Sequence, residues 1–177
     1  MCYHLHMRLF IAILFDEGTV ERLASIRDSL HDRALRGSFV SRDNIHLTLE
    51  FLGECDDREK RLAIEAMEAV HFEPFDLTID SIGFFSRQEG GTWWAGLEHS
   101  RPLACLKKEL HGELAARGLS LQGRPYRPHI TLGRRVVTTS DVGRIDPIHV
   151  HVDSIDLMLS ERTDNGMVYT SLHNVEA

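Results

Sequence analysis

The sequence predicts an α+β fold: two pseudo-symmetric lobes of antiparallel sheet with helices on the outside, facing each other across a central cleft. Three observations lead there. Short apolar runs with a period of two alternate along the chain with segments of helical period. A pattern of apolar strand, helix and His-x-Thr strand occurs twice, with His46 and His129 separated by 83 positions. Shifting Phe10–Ile13 by the same 83 lands on Trp93–Gly96, the middle of the second apolar strand, so the offset covers the whole unit.

The two motif strands are Ile45-His46-Leu47-Thr48-Leu49 and His129-Ile130-Thr131-Leu132-Gly133-Arg134. Side chains alternate between the faces of a strand, so His46 and Thr48 share one face, as do His129 and Thr131. Leu47, Leu49, Ile130 and Leu132 point the other way, into a core. Eleven His and nine Thr in this chain give about 0.2 chance matches to His-x-Thr-apolar, so two matches in similar surroundings carry weight. Two imidazoles are the minimum for paired acid and base work at neutral pH.

Taken in order, residues 1–7 read as a leader, with Met7 as an alternative start, and the domain proper as 8–177. Cys2, His4 and His6 lack the further ligands that a zinc site needs. Arg8 to Phe15 is a near-continuous apolar run, hence a buried strand. Asp16 to Leu35 follows a helical period through Val20, Leu23, Ile26, Leu30 and Ala34, with acids in the first turn and Gly37 closing it. Phe39 to Asn44 leads into the first motif strand, which ends at Gly53. Asp56 and Asp57 start a second helix carrying Leu62, Ile64, Met67 and Val70, stopped before Pro74.

Phe75–Phe85 and Thr92–Leu97 form a hairpin around the polar turn Arg87–Gly91. Pro102 opens a third helix through Leu103, Leu106, Leu110, Leu114 and Ala115, closed by Gly118. Cys55 and Cys105 lack a nucleophile signature, and Cys105 reads as core packing on the apolar side of that helix. A Gly-, Pro- and Arg-rich loop, 119–128, precedes the second motif. Two strands finish the chain: Ile148 running on towards Leu159, and Met167–Val175 returning after an Asn165-Gly166 turn. His149 and His151 read as the solvated side of the former rather than as metal ligands.

One domain of 177 residues is long enough to bury a substantial interior. No apolar run approaches the roughly 20 residues of a membrane span, and the N-terminus lacks the pattern of a signal peptide. Three scattered cysteines indicate reduced thiols in a cytoplasm. A net charge of −7 argues against general coating of nucleic acid. Yet no acid occurs between Glu113 and Asp141, where Arg117, Arg124, Arg127, Arg134 and Arg135 all fall, a setting suited to phosphate.

With these features the chain resembles the 2H phosphoesterases, and within them the RNA 2′,3′-cyclic phosphodiesterases long called 2′-5′ RNA ligases. The likeness rests on Arg8–Ile13, on Asn44–Gly53 and on Tyr126-Arg127-Pro128-His129-Ile130-Thr131-Leu132-Gly133-Arg134. It extends to the closing Leu159-Ser160 and Gly166-Met167-Val168-Tyr169. The resemblance implies an enzyme that opens a 2′,3′-cyclic phosphate on RNA or a nucleotide to a 2′-phosphate, without metal; a cytoplasmic monomer without cofactor is expected. It implies His46 as proton donor, His129 as proton acceptor, and Thr48, Thr131 and Arg134 on the phosphate. Arg8, Arg127 and Trp94 are further candidates.

Strict alternation from His129 puts Gly133 on the cleft face and Arg134 behind it. A phosphate contact from Arg134 therefore requires a break in the pleat, which Gly133 permits, while Phe51 stands in the equivalent place of the first motif. The competing readings are ATP-independent 2′-5′ ligation, hydrolysis of another small cyclic phosphate, and an RNA-binding module without turnover.

Overall fold

The structure is a computed structural model that describes residues 6–139, 144–164 and 166–177. Cys2, His4 and Asn165, on which parts of the sequence reading fall, lie outside the described residues. Among the described residues nine strands and three α-helices follow in the order β1 (Met7–Ile13), α1 (Glu17–Arg33), β2 (Ala34–Phe39), β3 (Leu47–Cys55), α2 (Asp57–Glu68), β4 (Phe75–Phe85), β5 (Gly91–Leu97), α3 (Arg101–Ala116), β6 (His129–Thr138), β7 (Ile148–Val152), β8 (Ser154–Thr163) and β9 (Gly166–Glu176). A 3-10 turn, Arg42–Asn44, precedes β3. No described helix is long and apolar enough to cross a membrane.

Each helix starts where its cap dictates. The Asp16 carboxylate accepts from the Thr19 amide at 3.0 Å and from the Thr19 hydroxyl at 2.7 Å, satisfying donors that the first turn leaves open. Asp56 and Glu59 form a reciprocal capping box on α2, with bonds of 2.8 and 2.9 Å. Ser100 caps α3, with Pro102 in the first turn, where a missing amide hydrogen costs nothing.

The strands form two antiparallel sheets, β3-β1-β8-β9 and β2-β6-β5-β4-β7. Their inner faces close on one core: Leu9, Ile11, Ile13, Leu47 and Leu49 from the first, Leu77, Ile79, Ala95, Ile130 and Leu132 from the second, with Leu23, Leu30, Met67, Leu103, Leu106 and Leu110 from the helices. Each such aliphatic side chain contributes about 1.5–3 kcal/mol by leaving water. The arrangement β3-β1-β8-β9 matches β6-β5-β4-β7 strand for strand, so the lobes are related as the repeat implies.

Several elements differ from the sequence reading. Gly37 does not close α1: the helix stops at Arg33, Ala34 turns extended, and residues 34–39 form β2 against β6. β2 is mostly exposed and has no alternating apolar face, so its backbone pairing, and not its pattern, makes it a strand. β3 begins at Leu47, just after His46, and continues past Gly53 to Cys55. The run from Ile148 to Leu159 is two strands, β7 pairing with β4 in the second sheet and β8 with β1 in the first. Positions in the main core change there from even (148, 150, 152) to odd (155, 157), the mark of a chain crossing between sheets.

Cys105 is exposed and not in the core, whereas Cys55 is buried. Ala115 is likewise exposed, beside the buried stripe of Leu103, Leu106, Leu110 and Leu114. The repeat offset also needs correction. Ile13 and Ala12 stand against the first motif strand as Ala95 and Trp94 stand against the second, an offset of 82 and not 83. One residue matters because it exchanges the faces: Phe10 corresponds to Thr92, and Trp93 belongs to the core.

Candidate active site

His46 and His129 are held alike. The His46 Nδ1 lies 2.7 Å from the Asn44 carbonyl oxygen, and the His129 Nδ1 lies 2.7 Å from the Arg127 carbonyl oxygen. A carbonyl oxygen only accepts, so each Nδ1 carries the hydrogen, and each neutral ring keeps the lone pair on Nε2. The Asn44 side chain, buried in the 3-10 turn, donates to the Met167 carbonyl at 2.7 Å and so ties the first motif to β9.

Surroundings differ. His46 is enclosed, its ring centroid 4.9 Å from that of Phe10 and 5.4 Å from that of Tyr169, edge-on. Its Nε2 is 2.9 Å from the Thr48 hydroxyl. Burial pushes the His46 pKa below its ordinary 6.5; the bond to Asn44 opposes this, and the positive charges of Arg134 and His129 lower it further. The His129 ring stands across from that of Phe85, at 5.3 Å between centroids and 90°. A hydrogen bond from the Tyr126 hydroxyl to the Thr48 carbonyl oxygen, 3.0 Å long, joins the loop before the second motif to the first. Burial, and then the Glu50 carboxylate, push the Tyr126 pKa up, so this phenol stays a donor.

The pleat breaks in both motif strands at the same point. Thr131 stands opposite Trp94 and Gly133 opposite the adjacent Trp93, leaving Leu132 as the extra residue of a bulge. Thr48 stands opposite Ala12 and Glu50 opposite Ile11, leaving Leu49 extra. Contrary to strict alternation, Gly133 therefore lies on the core side, where a Cβ would come within 2.8 Å of Val136 and 3.1 Å of Phe39. Arg134 comes round to the histidine face, and Phe51 does so in the first lobe, opposite Phe10. A second irregularity follows at Arg134–Arg135, where Arg135 takes a left-handed φ of 53°.

A family model described as the 2′-5′ RNA ligase superfamily matches residues 15–164. The chain belongs to that superfamily. A protein of Thermotoga maritima named RNA 2′,3′-cyclic phosphodiesterase is 32% identical over 96% of this chain and 95% of its own. One of the same name from Escherichia coli K12 is 36% identical over 72% of this chain and 71% of its own. The crystal structure of E. coli LigT complexed with 3′-AMP superposes with a TM-score of 0.82 at 26% identity, covering 97% of each chain. That of TT0787 of Thermus thermophilus gives 0.78, also at 26% identity, over 96% of this chain and 97% of the other.

In this superfamily member the remaining candidates fall in different places. Arg127 lines, with His129 and Thr48, a cavity of about 460 Å³. Arg8 is exposed on β1, beside Glu54 and Ser160 in the pairing. Trp94 shares the Thr131 face, its ring lying over Gly83 and Gly96, where a Cβ would come within 2.3 and 2.8 Å of it. It lines a separate cavity, and its Nε1 is buried without a protein partner among the described residues. His149 and His151 are exposed on β7, next to Thr78 and Asp76. Asn44, Phe85, Tyr169, Glu50 and Arg87 went unmarked as site residues by sequence reasoning. Phe85, Tyr169 and Arg87 reach the site from distant parts of the chain, whereas Asn44 and Glu50 flank the first motif itself.

Proposed function

We propose that this chain, an enzyme of the cyclic phosphodiesterase class, opens 2′,3′-cyclic phosphates on RNA ends and nucleotides in the cytoplasm, leaving a 2′-phosphate, by metal-independent two-histidine catalysis. The observation that carries this reading is the matched pair of imidazoles, each with its Nδ1–H tied to the carbonyl two residues upstream. The tie leaves Nε2 of each ring for proton transfer. A pure binding module needs no such pair.

The neutral His129 Nε2 takes a proton from water, and the water oxygen bonds to phosphorus. The P–O3′ bond breaks, and the proton on His46 Nε2 passes to O3′, while the P–O2′ bond survives. His46 rests neutral, for the reasons given above. An arriving phosphate anion offsets the charge of Arg134 and favours uptake of a proton by His46. Once Nε2 is protonated, the Thr48 hydroxyl is free to donate to a non-bridging oxygen, as Thr131 does from the other lobe. The Arg134 guanidinium offsets the charge that grows on these oxygens.

The test is incubation with a 2′,3′-cyclic nucleotide in EDTA, followed by identification of the product. A 2′-phosphate as sole product is expected. Loss of turnover in EDTA with recovery on adding a divalent ion would remove the metal-free mechanism, and tight RNA binding with no turnover would remove the enzyme.

A further inference from the structure

Asn44 is one of four buried polar or charged residues among the described residues, and it works in two directions. Its backbone carbonyl accepts from the His46 Nδ1 at 2.7 Å, and its side-chain amide donates to the Met167 carbonyl, also at 2.7 Å. β9 is the edge strand of the first sheet, and an edge strand leaves alternate carbonyls without a strand partner. Asn44 supplies a donor to this edge from 123 positions away in the chain. Two residues beyond Met167 stands Tyr169. Its ring lies at 85° to that of His46, with centroids 5.4 Å apart, and 5.0 Å from that of Phe10. The turn that carries Asn44 is closed by its own amide, which donates to the Ser41 carbonyl at 3.0 Å. A buried side-chain amide without a partner is costly, so this bond holds the turn and β9 together. The second motif has the exposed Arg127 in the corresponding place, and no such tie holds it among the described residues.

We propose that Asn44 is a positioning residue for His46, acting by locking β9, and with it the Tyr169 ring, onto the first motif. The inference rests on the proposed reaction and deepens it, because it makes one residue answerable for both restraints on the proton donor. The Asn44 carbonyl fixes the rotation of the imidazole, while Tyr169 and Phe10 fix its tilt and keep water from it. Without the amide bond, β9 is free to leave the turn, the ring loses a wall, and Nε2 is no longer aimed at one point. The ionisable groups facing His46 are Arg134 and His129 from β6 and the Tyr169 phenol from β9; Phe10 of β1 carries no charge. Replacing Asn44 leaves all of these charges in place. A change in how His46 titrates then reports its enclosure.

The experiment removes the amide in Asn44→Ala and follows both histidines by NMR as the pH is varied. In the wild type His46 should titrate with a midpoint below 6.5. In Asn44→Ala that midpoint should rise towards 6.5, because water reaches the ring, while His129 keeps its own. The kcat for a 2′,3′-cyclic nucleotide should fall roughly tenfold to a hundredfold, up to the cost of a group misplaced by about 1 Å. Calorimetric affinity for a 2′-nucleotide should hardly change. Removing the ring itself in Tyr169→Ala should raise the His46 midpoint likewise, and adding Asn44→Ala to it should raise it little further, since both act through one wall. Asn44→Ser, whose hydroxyl falls short of the Met167 carbonyl, serves if Asn44→Ala does not fold. A wild-type midpoint not below 6.5, a His46 midpoint or a kcat that Asn44→Ala leaves in place, or equal movement of both histidines would overturn the positioning role. So would full additivity with Tyr169→Ala, or a chain that folds with neither substitution. If the wild type opens no cyclic nucleotide, the proposed reaction falls instead, and the midpoints still decide whether Asn44 holds His46.

Discussion

The two motif strands share a backbone and divide in their side chains. Both pin a histidine through Nδ1 to the carbonyl two residues upstream, and both bulge at the leucine after the threonine. At the two positions past the bulge they part. The first lobe has Glu50, buried against Lys107 and His111, and then Phe51, exposed to the cleft. The second has Gly133, pressed beneath Phe39 and Val136, and then Arg134. One backbone device thus delivers an aromatic ring from one side and a cation from the other. A duplicated fold gains an asymmetric cleft without changing its pleat.

The comparison is broken most easily at its shared feature. His46→Ala and His129→Ala should each slow turnover by roughly 10²–10⁴-fold, the usual contribution of a positioned acid or base. Steady-state rates on a 2′,3′-cyclic nucleotide measure this. Either variant retaining more than a tenth of the wild-type rate would mean that the strands do not each supply a proton-transfer group.

The cation sharpens the difference between the lobes. Arg134→Ala should lower kcat by roughly tenfold to a thousandfold, the scale of one lost charge-stabilising donor, with Arg135→Ala as a control that does little. Wild-type kinetics in Arg134→Ala would shift the search for the cation to Arg8 or Arg127.

A smaller effect is expected at the tie between the strands. Tyr126→Phe removes only the hydrogen bond to the Thr48 carbonyl and should lower kcat about tenfold, near the value of one hydrogen bond. Calorimetric affinity for a 2′-nucleotide and the melting temperature should hardly move. Parallel losses in all three would make the contact merely structural.

The smallest expected effect is a displacement in pH. One limb of the pH–rate profile belongs to His46 and should have its midpoint below 6.5, since burial and then the charges of Arg134 and His129 favour the neutral ring. Arg134→Ala removes one of the causes that lower it, so that limb should move to higher pH. A limb that stays in place, or moves down, would show that Arg134 does not act on His46 through its charge.

Most strands and all three helices were legible because their signals are local. Alternation marked Phe75, Leu77 and Ile79, the period of a helix marked Leu103, Leu106, Leu110 and Leu114, and Asp56 with Asp57 marked the start of α2. The doubled His-x-Thr pattern placed His129 on a strand and His46 at the entry to one, in related lobes, for the same reason: two residues apart on a strand is one face. Where a second strand or a distant ring decides the outcome, the sequence alone was silent or misleading. β2 exists through pairing with β6, the offset of 82 appears only in the registers, and the bulge at Leu132 that turns Arg134 towards His46 is set by how Trp93 and Trp94 pair across it. The enclosure of His46 comes from Phe10 and from Tyr169, which lies on the last strand. A period of two states which residues share a face as long as the pleat is regular. Which face turns inward past a bulge, and how dry a histidine becomes, is decided by packing among residues far apart in the chain.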